Sequence, residues 1–480
     1  MPSTFLFYDL ETFGADPRRS RIAQFAAIRT DAQLEQVDDA ISFFVQPADD
    51  LLPSPAATLI TGITPQHALR EGVNEAEAFS RIFDEMSRPE TCTLGYNSLR
   101  FDDEFVRHGF FRNFFDAYER EWRGGNSRWD LLDVMRLACA LRPEGIEWPM
   151  REDGNVSFKL EHLAAANGVR EGEAHEALSD VRALIGLARR LRNAQPKLWE
   201  YALRLRDKRY AAQLVDVSLM QPVLHVSQRY PASRLCSAPV LPLARHPTID
   251  SRVVVFDLDS EPDALLSLDA DAIADRLYVR QADLPEGETR IPLKEVHLNR
   301  SPALIEWAHL RAPDLERLRI DPATVEARAH RLRDAGPALA EKVRRVYSRD
   351  PQRAPSDPDA SLYDGFVPDA DKRKFTQVRG TPPHLLGHSA FAFRDARLDE
   401  LLFRYRARNW PQSLGFDEHE RWNDYRRQRL QQNNGLSELT FEQAGAEIAM
   451  LRDTHAADGA RLALLDQLEA WNADIASSLS

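Results

Sequence analysis

Residues 4–9, TFLFYD, are an apolar run of strand length, and their pattern reads as a buried β-strand. The run leads straight into two carboxylates, Asp9 and Glu11, before Thr12-Phe13-Gly14 turns the chain into a loop. Side chains two apart on a strand share a face, so Asp9 and Glu11 are presented together. Two more strand-like runs follow, 22–30 (IAQFAAIRT) and 41–46 (ISFFVQ), with short polar connections that predict an antiparallel meander. Phe79, Ile82, Phe83 and Met86 recur at helical spacing, and CTLGY (92–96) reads as the next strand. Helical patterns cover 103–115, 130–141, 158–166 and 176–192, with a break at Gln195-Pro196. This order predicts a mixed α/β layer fold.

The remaining chain changes texture. From about 213 to 300 short β-like pieces (VLHV, RVVVFDL, RIPLKEVHL) are separated by Pro, Asp and Gly, which predicts a small barrel or sheet followed by helices to about 349. An Asp- and Pro-rich stretch (348–360) reads as a linker, and 368–480 reads as helices. Domains are therefore expected at 1–195, 196–350 and 356–480, in keeping with a chain of 480 residues. Three scattered cysteines, Cys92, Cys139 and Cys236, lack metal-site or disulfide spacing and are expected to be buried thiols. There is no basic leader and no apolar stretch near 18 residues, so a soluble, cytoplasmic protein is expected. The net charge of -13 argues against bulk attraction to nucleic acid, so any such function must rest on local residues.

Beyond the first two carboxylates, the chemistry lies in Asp102, His175 and Asp180. Asp102 follows the CTLGY strand and Asn97, where a helix begins. An Asp there is by default a cap, and Asp103 could be the functional one instead. Asp180 sits in an amphipathic helix whose core face is Ala177, Val181, Leu184, Leu187 and Leu191. Taken singly, it reads as a solvated charge and His175 as a surface histidine. Taken together in this order, the acidic groups suit divalent metal ions and the histidine suits a proton, the equipment for phosphodiester hydrolysis.

The segments DLET, NSLRFDDE and HEALSD resemble the three motifs of the DnaQ-like (DEDD) 3′–5′ exonucleases, in the branch with a histidine five residues before the last Asp. FLFYDLETFG, AQFAAIRTD, PADD, LITGITPQ, NSRWDLLDVMR, ALRPEGI and YRARNWP extend the likeness along the chain to the bacterial exodeoxyribonuclease I family. Leu10 departs from the aromatic expected there. It lies between the two acids and points away from them.

The resemblance implies an RNase H-like (DnaQ-like) exonuclease domain with a mixed sheet, an SH3-like small β-barrel domain and an α-helical C-terminal domain. It implies that Asp9, Glu11, Asp102 and Asp180 hold two Mg²⁺ ions, with Mn²⁺ able to substitute, and that His175 is the general base. Glu11 would also touch substrate. Two such ions stand about 3.5–4 Å apart in enzymes of this chemistry. It further implies that Arg107, Tyr118, Trp122 and Arg136 line a single-stranded DNA path. Lys159 would meet a phosphate where relatives carry Arg, and Thr61 and Gly62 would sit by the terminal nucleotide. Arg142 is the best match to a pocket for the acidic tail of single-stranded DNA-binding protein. A monomer acting in DNA repair and recombination is implied.

From the residues themselves, HGFFRNFFDAYEREW is dense in rings. Its Phe residues read mainly as core, while Tyr118 and Trp122 are balanced between core and stacking surface. Arg107, Arg136, Arg142, Lys159 and basic residues of the central domain are expected to line or border one groove leading to Asp9, with four or five phosphate contacts giving a salt slope of about -3. Two other readings compete with the processive single-strand exonuclease: an RNA-trimming exonuclease of the same chemistry, and a non-catalytic DNA-binding repair scaffold. The roughly 280 residues beyond a lone nuclease domain count against the former, and the presence of all five motif residues counts against the latter.

Overall fold

The fold was taken from a computed structural model that describes residues 2–170, 172, 176–348 and 356–479. The chain divides into two units, one of residues 1–127, 170–185 and 354–480, the other of 128–169 and 186–353. His175 and most of the expected linker lie outside the described residues.

The first unit is built on β1 (Thr4–Thr12), β2 (Ile22–Asp31) and β3 (Ile41–Phe44), then α1 (Pro55–Thr61), α2 (Pro65–Glu71) and α3 (Glu75–Met86), then β4 (Thr91–Gly95) and α4 (Asp102–Arg112). The strand order is β3-β2-β1-β4, continued by β5 (Ser127–Asp130), at whose first residue this unit breaks off. β1 pairs antiparallel with β2 and parallel with β4, so the sheet is mixed and the strand carrying the acids is interior. The two-residue period of β1 decides what each side chain does. Leu6, Tyr8 and Leu10 pack with Phe25, Phe79, Ile82, Met86, Phe105 and Phe110, while Asp9 and Glu11 alternate with them. Leu10 therefore belongs to the core, on the face away from the carboxylates.

Short α1 and α2 fill a stretch whose TGITP segment reads in the sequence only as a turn and a helix start. Ser54 and Thr64 cap them, each followed by a proline in the first turn. β5 was also unexpected, because its four residues SRWD offer no period long enough to separate from the helix behind them.

C-terminal segments of this unit, among them the helix Arg397–Asn409, share a core with the end of α4. Phe111, Phe114 and Ala117 pack with Leu362, Phe375, Leu398, Leu401 and Tyr405. A buried charge cluster adds to this. Arg408 donates to Asp50 Oδ2 at 2.8 Å and to Asp359 Oδ1 at 2.8 Å, and Arg404 donates to Asp359 Oδ2 at 2.8 Å. Arg429 donates to the Asp50 carbonyl at 2.8 Å and the Arg19 carbonyl at 2.6 Å.

The second unit holds α5 (Leu131–Leu141) and α6 (Leu160–Ala166), and it takes α7 (Ala177–Ala194) from residue 186 onward. Its sheet is β6 (Val223–Val226), β7 (Ser237–Arg245), β8 (Arg252–Asp257), β9 (Leu293–His297) and β10 (Ala303–Glu306), in the order β10-β6-β7-β8-β9 and antiparallel throughout. Alternation again sorts the strands. Val240, Val253 and Val255 pack with Leu205, Ala211 and Val215 on one side, and Leu241, Val254 and Phe256 pack with Ile273, Val325, Leu332 and Val343 on the other. β7 was not expected because SAPVLPLAR carries two prolines. Pro242 is tolerated because the β7–β8 register shifts there, between Pro242 and Ala244. All three cysteines are buried and outside any disulfide. Among the described residues no helix is long and apolar enough to cross a membrane.

Candidate active site

Asp9, Glu11 and Asp180 converge. One carboxylate oxygen from each lies within 4.8 Å of the others. β1 supplies the first two, and a register shift between Glu11 and Thr12 ends the strand directly after them. The Thr12 hydroxyl then donates to the Gly14 carbonyl at 2.7 Å and fixes the turn. α7 supplies Asp180 from its first turn, and its buried stripe Ala177, Val181, Leu184, Leu187 and Leu191 anchors the helix as the sequence pattern predicts.

Of the neighbouring acids at the start of α4, Asp103 is committed elsewhere. It accepts from Tyr8 Oη at 2.6 Å and from Arg120, in a wholly buried cluster. Asp102 is the first residue of the helix, and its charge acts on the site. Burial pushes the Asp9 carboxyl well above the usual carboxylate range, and Asp102, Glu11 and Asp180 push it further in that order. Glu11 is pushed up to about 8 by burial, then by Asp180, Asp102 and Glu176.

Acids crowded until they resist ionisation form a site short of positive charge. Among the described residues the donor set is carboxylate oxygen, with no thiolate, which fits hard divalent cations. Asp9, Glu11 and Asp180 could hold such an ion directly, with Asp102 beside them.

Two contributors were not singled out in the sequence. Glu176, next to His175, adds its charge at Glu11 and accepts from the Ser179 N–H at 2.9 Å. Arg170 donates to Asp180 Oδ1 and opposes the upward push on Asp9. Glu176 stands inside a quoted motif, so proximity could have found it. Arg170 lies ten residues from its partner, in a segment with no pattern to mark it.

The expected DNA-path residues fall into distinct settings. Phe110, Phe111, Phe114 and Phe115 are core. Trp122 is 66% exposed and Tyr118 is half-buried, so neither ring is closed into a core. Arg107 is buried and held by Glu121 at 2.7 and 3.0 Å and Glu104 at 3.1 Å, and its guanidinium lies 5.3 Å from the centre of the Tyr118 ring. Phe366 packs edge-on to Tyr118 at 5.9 Å and is largely exposed. Tyr118, Phe366, Phe111 and Phe115 line a small, partly open pocket. Phe366 was missed because it lies some 250 residues beyond Tyr118 in a stretch with no other ring pattern.

Thr61 ends α1 and Gly62 caps it with φ +69°, a left-handed conformation that suits glycine. No atom stands within 4 Å of where a Gly62 side chain would begin, so that face of the backbone is open to a ligand. In the second unit, Arg136 is buried and bonded to Asp133 at 2.7 Å, Arg142 is bonded to Asp314 at 2.9 and 3.0 Å, and Lys159 is exposed, 3.2 Å from Glu161.

Three family models match the chain: "Exonuclease" over residues 6–188, "Exonuclease I SH3-like domain" over 206–349 and "Exonuclease I C-terminal domain" over 356–475. The chain is 44% identical to exodeoxyribonuclease I of Escherichia coli and 40% identical to that of Haemophilus influenzae, covering 97% of this chain and of each relative. Among solved structures, a moderately thermophilic exonuclease I from Methylocaldum szegediense superposes with TM-score 0.94 at 46% identity, over 98% of this chain and 99% of that one. E. coli exonuclease I in complex with a dA16 oligonucleotide superposes with TM-score 0.93 at 43% identity, over 98% of this chain and all of that one. The fold is thus the expected RNase H-like exonuclease layer with an SH3-like sheet domain and a helical C-terminal region, and the chain belongs to the exodeoxyribonuclease I family.

Proposed function

We propose that this protein is an exodeoxyribonuclease that degrades single-stranded DNA processively from the 3′ end, releasing nucleoside 5′-monophosphates. The observation that carries the reading is the convergence of Asp9, Glu11 and Asp180 within 4.8 Å, beside the charge of Asp102. Asp9, Glu11, Asp102 and Asp180 would hold two Mg²⁺ ions, with Mn²⁺ as a substitute. When bound, such ions supply Lewis-acid activation of the attacking water and charge stabilisation at the leaving 3′-oxygen.

The chain's own residues do the rest. His175 takes a proton from the attacking water, a role an imidazole suits at neutral pH. Glu11 orients the terminal nucleotide, and the open backbone at Gly62, with Thr61, gives it room. Lys159 faces a phosphate as a point charge, without the bidentate fork of Arg. Tyr118 and Trp122 stack with bases, each ring being worth about 1–3 kcal/mol in such a role. Arg107 supports Tyr118 from behind its ring, and Arg136 does the same for Phe158, 5.7 Å from its guanidinium.

The domains would be 1–195, 196–350 and 356–480, with the protein acting as a cytoplasmic monomer in DNA repair and recombination. Arg142 would receive the acidic tail of single-stranded DNA-binding protein.

Labelled single-stranded DNA, duplex DNA and RNA oligonucleotides, each with and without Mg²⁺, test the reading. Only single-stranded DNA with Mg²⁺ should be shortened, from its 3′ end. Asp180→Asn should abolish that while leaving strand binding intact. Equal digestion of RNA, or more than a few per cent of activity in Asp180→Asn at saturating Mg²⁺, would overturn it.

A further inference from the structure

Among the described residues, Arg170 places a positive charge at the acidic site. Its Nη1 donates to Asp180 Oδ1, and both side chains are largely withdrawn from solvent. Its charge also reaches Asp9, where it works against Asp102, Glu11 and Asp180. Gly172 has φ +79°, and a side chain there would begin 2.7 Å from the Ser179 hydroxyl, so Gly172 lies against the first turn of α7.

A guanidinium and a divalent cation want the same thing from Asp180. Each binds carboxylate oxygen, and each lowers the repulsion among the acids. Arg keeps its charge at any pH a protein meets, so its competition does not fade as protons leave. We propose that Arg170 is a resident counter-cation of the acidic site: it holds Asp180 while no divalent ion is bound and yields that oxygen when ions load, and so sets the metal concentration the site requires. The inference rests on reading these carboxylates as metal-holding.

Two opposite signatures follow from one substitution. Without Arg170, the metal-free protein keeps its acids with less compensation and melts lower. The same loss removes a competitor, so divalent ions bind more tightly. A residue that merely props up the fold would lower the melting point without tightening the metal, and a residue that holds DNA would leave the metal affinity alone.

The test uses the full chain without DNA at pH 8, titrated with Mn²⁺ and read by the spin resonance of free Mn²⁺. Arg170→Ala should bind Mn²⁺ about tenfold more tightly than the native protein, from loss of one close like charge. Arg170→Lys, which keeps the charge, should stay within about twofold of native. Melting of Arg170→Ala should be depressed in chelator and restored by Mn²⁺. Should Arg170→Ala not fold, Arg170→Gln carries the same expectation. Native or weaker Mn²⁺ affinity in the neutral variants overturns the proposal, as does weakened strand binding in chelator with Mn²⁺ affinity unchanged. If the native chain takes up no Mn²⁺, the metal reading itself falls and the role of Arg170 falls with it.

Discussion

Arg408→Ala should be the most damaging substitution that touches none of the acids at the site. Its guanidinium is almost wholly buried and bonded to two buried carboxylates, Asp50 and Asp359. Burial works against ionising these acids, yet Arg408, with Arg429 at Asp50 and Arg404 at Asp359, holds both well below the usual carboxylate range. Removing one partner of a buried pair leaves charge uncompensated, which costs about 3–5 kcal/mol. Over a unit of this size that corresponds to a fall in melting temperature of roughly 10 °C. The consequence is local as well as global, because Asp50 leads into the segment that carries Thr61 and Gly62.

The pH dependence has a definite sign. A depressed carboxyl contributes stability that is present above its unfolded pKa and lost as pH falls through its folded one. In Arg408→Ala both folded values move upward, so the variant takes up protons more readily than the native chain. Its deficit should therefore be largest at neutral pH and narrow as pH falls toward about 4. Urea denaturation between pH 4.5 and 8 reads this directly. A deficit under about 1 kcal/mol, the scale of an exposed pair, or one that does not change with pH would refute the assignment of this cluster as a buried clamp.

Binding of Mg²⁺ should release protons. Glu11 is pushed up to about 8, so it holds a proton at pH 7 in the metal-free protein, and crowding by the same acids raises Asp9. Calorimetry in buffers of different ionisation enthalpy should show about one proton or more released at pH 7, and affinity should rise with pH until about 8; zero release would contradict the electrostatics. Trp122→Ala should weaken binding of single-stranded DNA by about 1–3 kcal/mol while leaving the single-turnover rate nearly unchanged. A fall in rate with affinity intact would place Trp122 at the reacting end instead.

Much of the site could be read in the sequence because it follows short-range rules. The two-residue period of β1 puts Asp9 and Glu11 on one face, and the helical stripe from Ala177 to Leu191 turns Asp180 toward them. What the periodicity could not decide was the choice between Asp102 and Asp103, since both open the same helix. Tertiary partners decide it, with Tyr8 and Arg120 taking Asp103. Arg170 and Phe366 were illegible for the same reason: each matters through a partner that no local pattern relates to it. β7 was hidden by prolines that its irregular register accommodates, and β5 by its brevity. The charge cluster of Asp50, Asp359 and Arg408 joins positions more than 300 residues apart, beyond the reach of any window.

How a chain of net charge -13 holds an anionic strand turns on which cations are free. Four basic positions were expected to border a groove, yet three are committed within the protein: Arg107 to Glu121 and Glu104, Arg136 to Asp133, and Arg142 to Asp314. Paired guanidiniums gather few counterions, so binding a strand beside them releases few. Lys159 differs. Its side chain is 70% exposed and its contact with Glu161 is the loose kind that water and salt dissolve. The steep slope expected from four or five contacts is therefore not what these residues supply. Lys159→Ala should reduce the slope of log K against log salt by about 0.7, the value of one phosphate contact on a single strand. Arg107→Ala should weaken binding by loosening Tyr118 yet leave the slope unchanged, and Arg136→Ala should likewise leave it unchanged. Fluorescence anisotropy of a labelled oligonucleotide in chelator, from low to moderate salt, measures all three. A drop of about 0.7 in Arg107→Ala or Arg136→Ala would show that those pairs open to meet phosphate. Stacking by Tyr118 and Trp122 would then share its load with charge, and the ion pairs seen in the free protein would be reserves of charge for the strand.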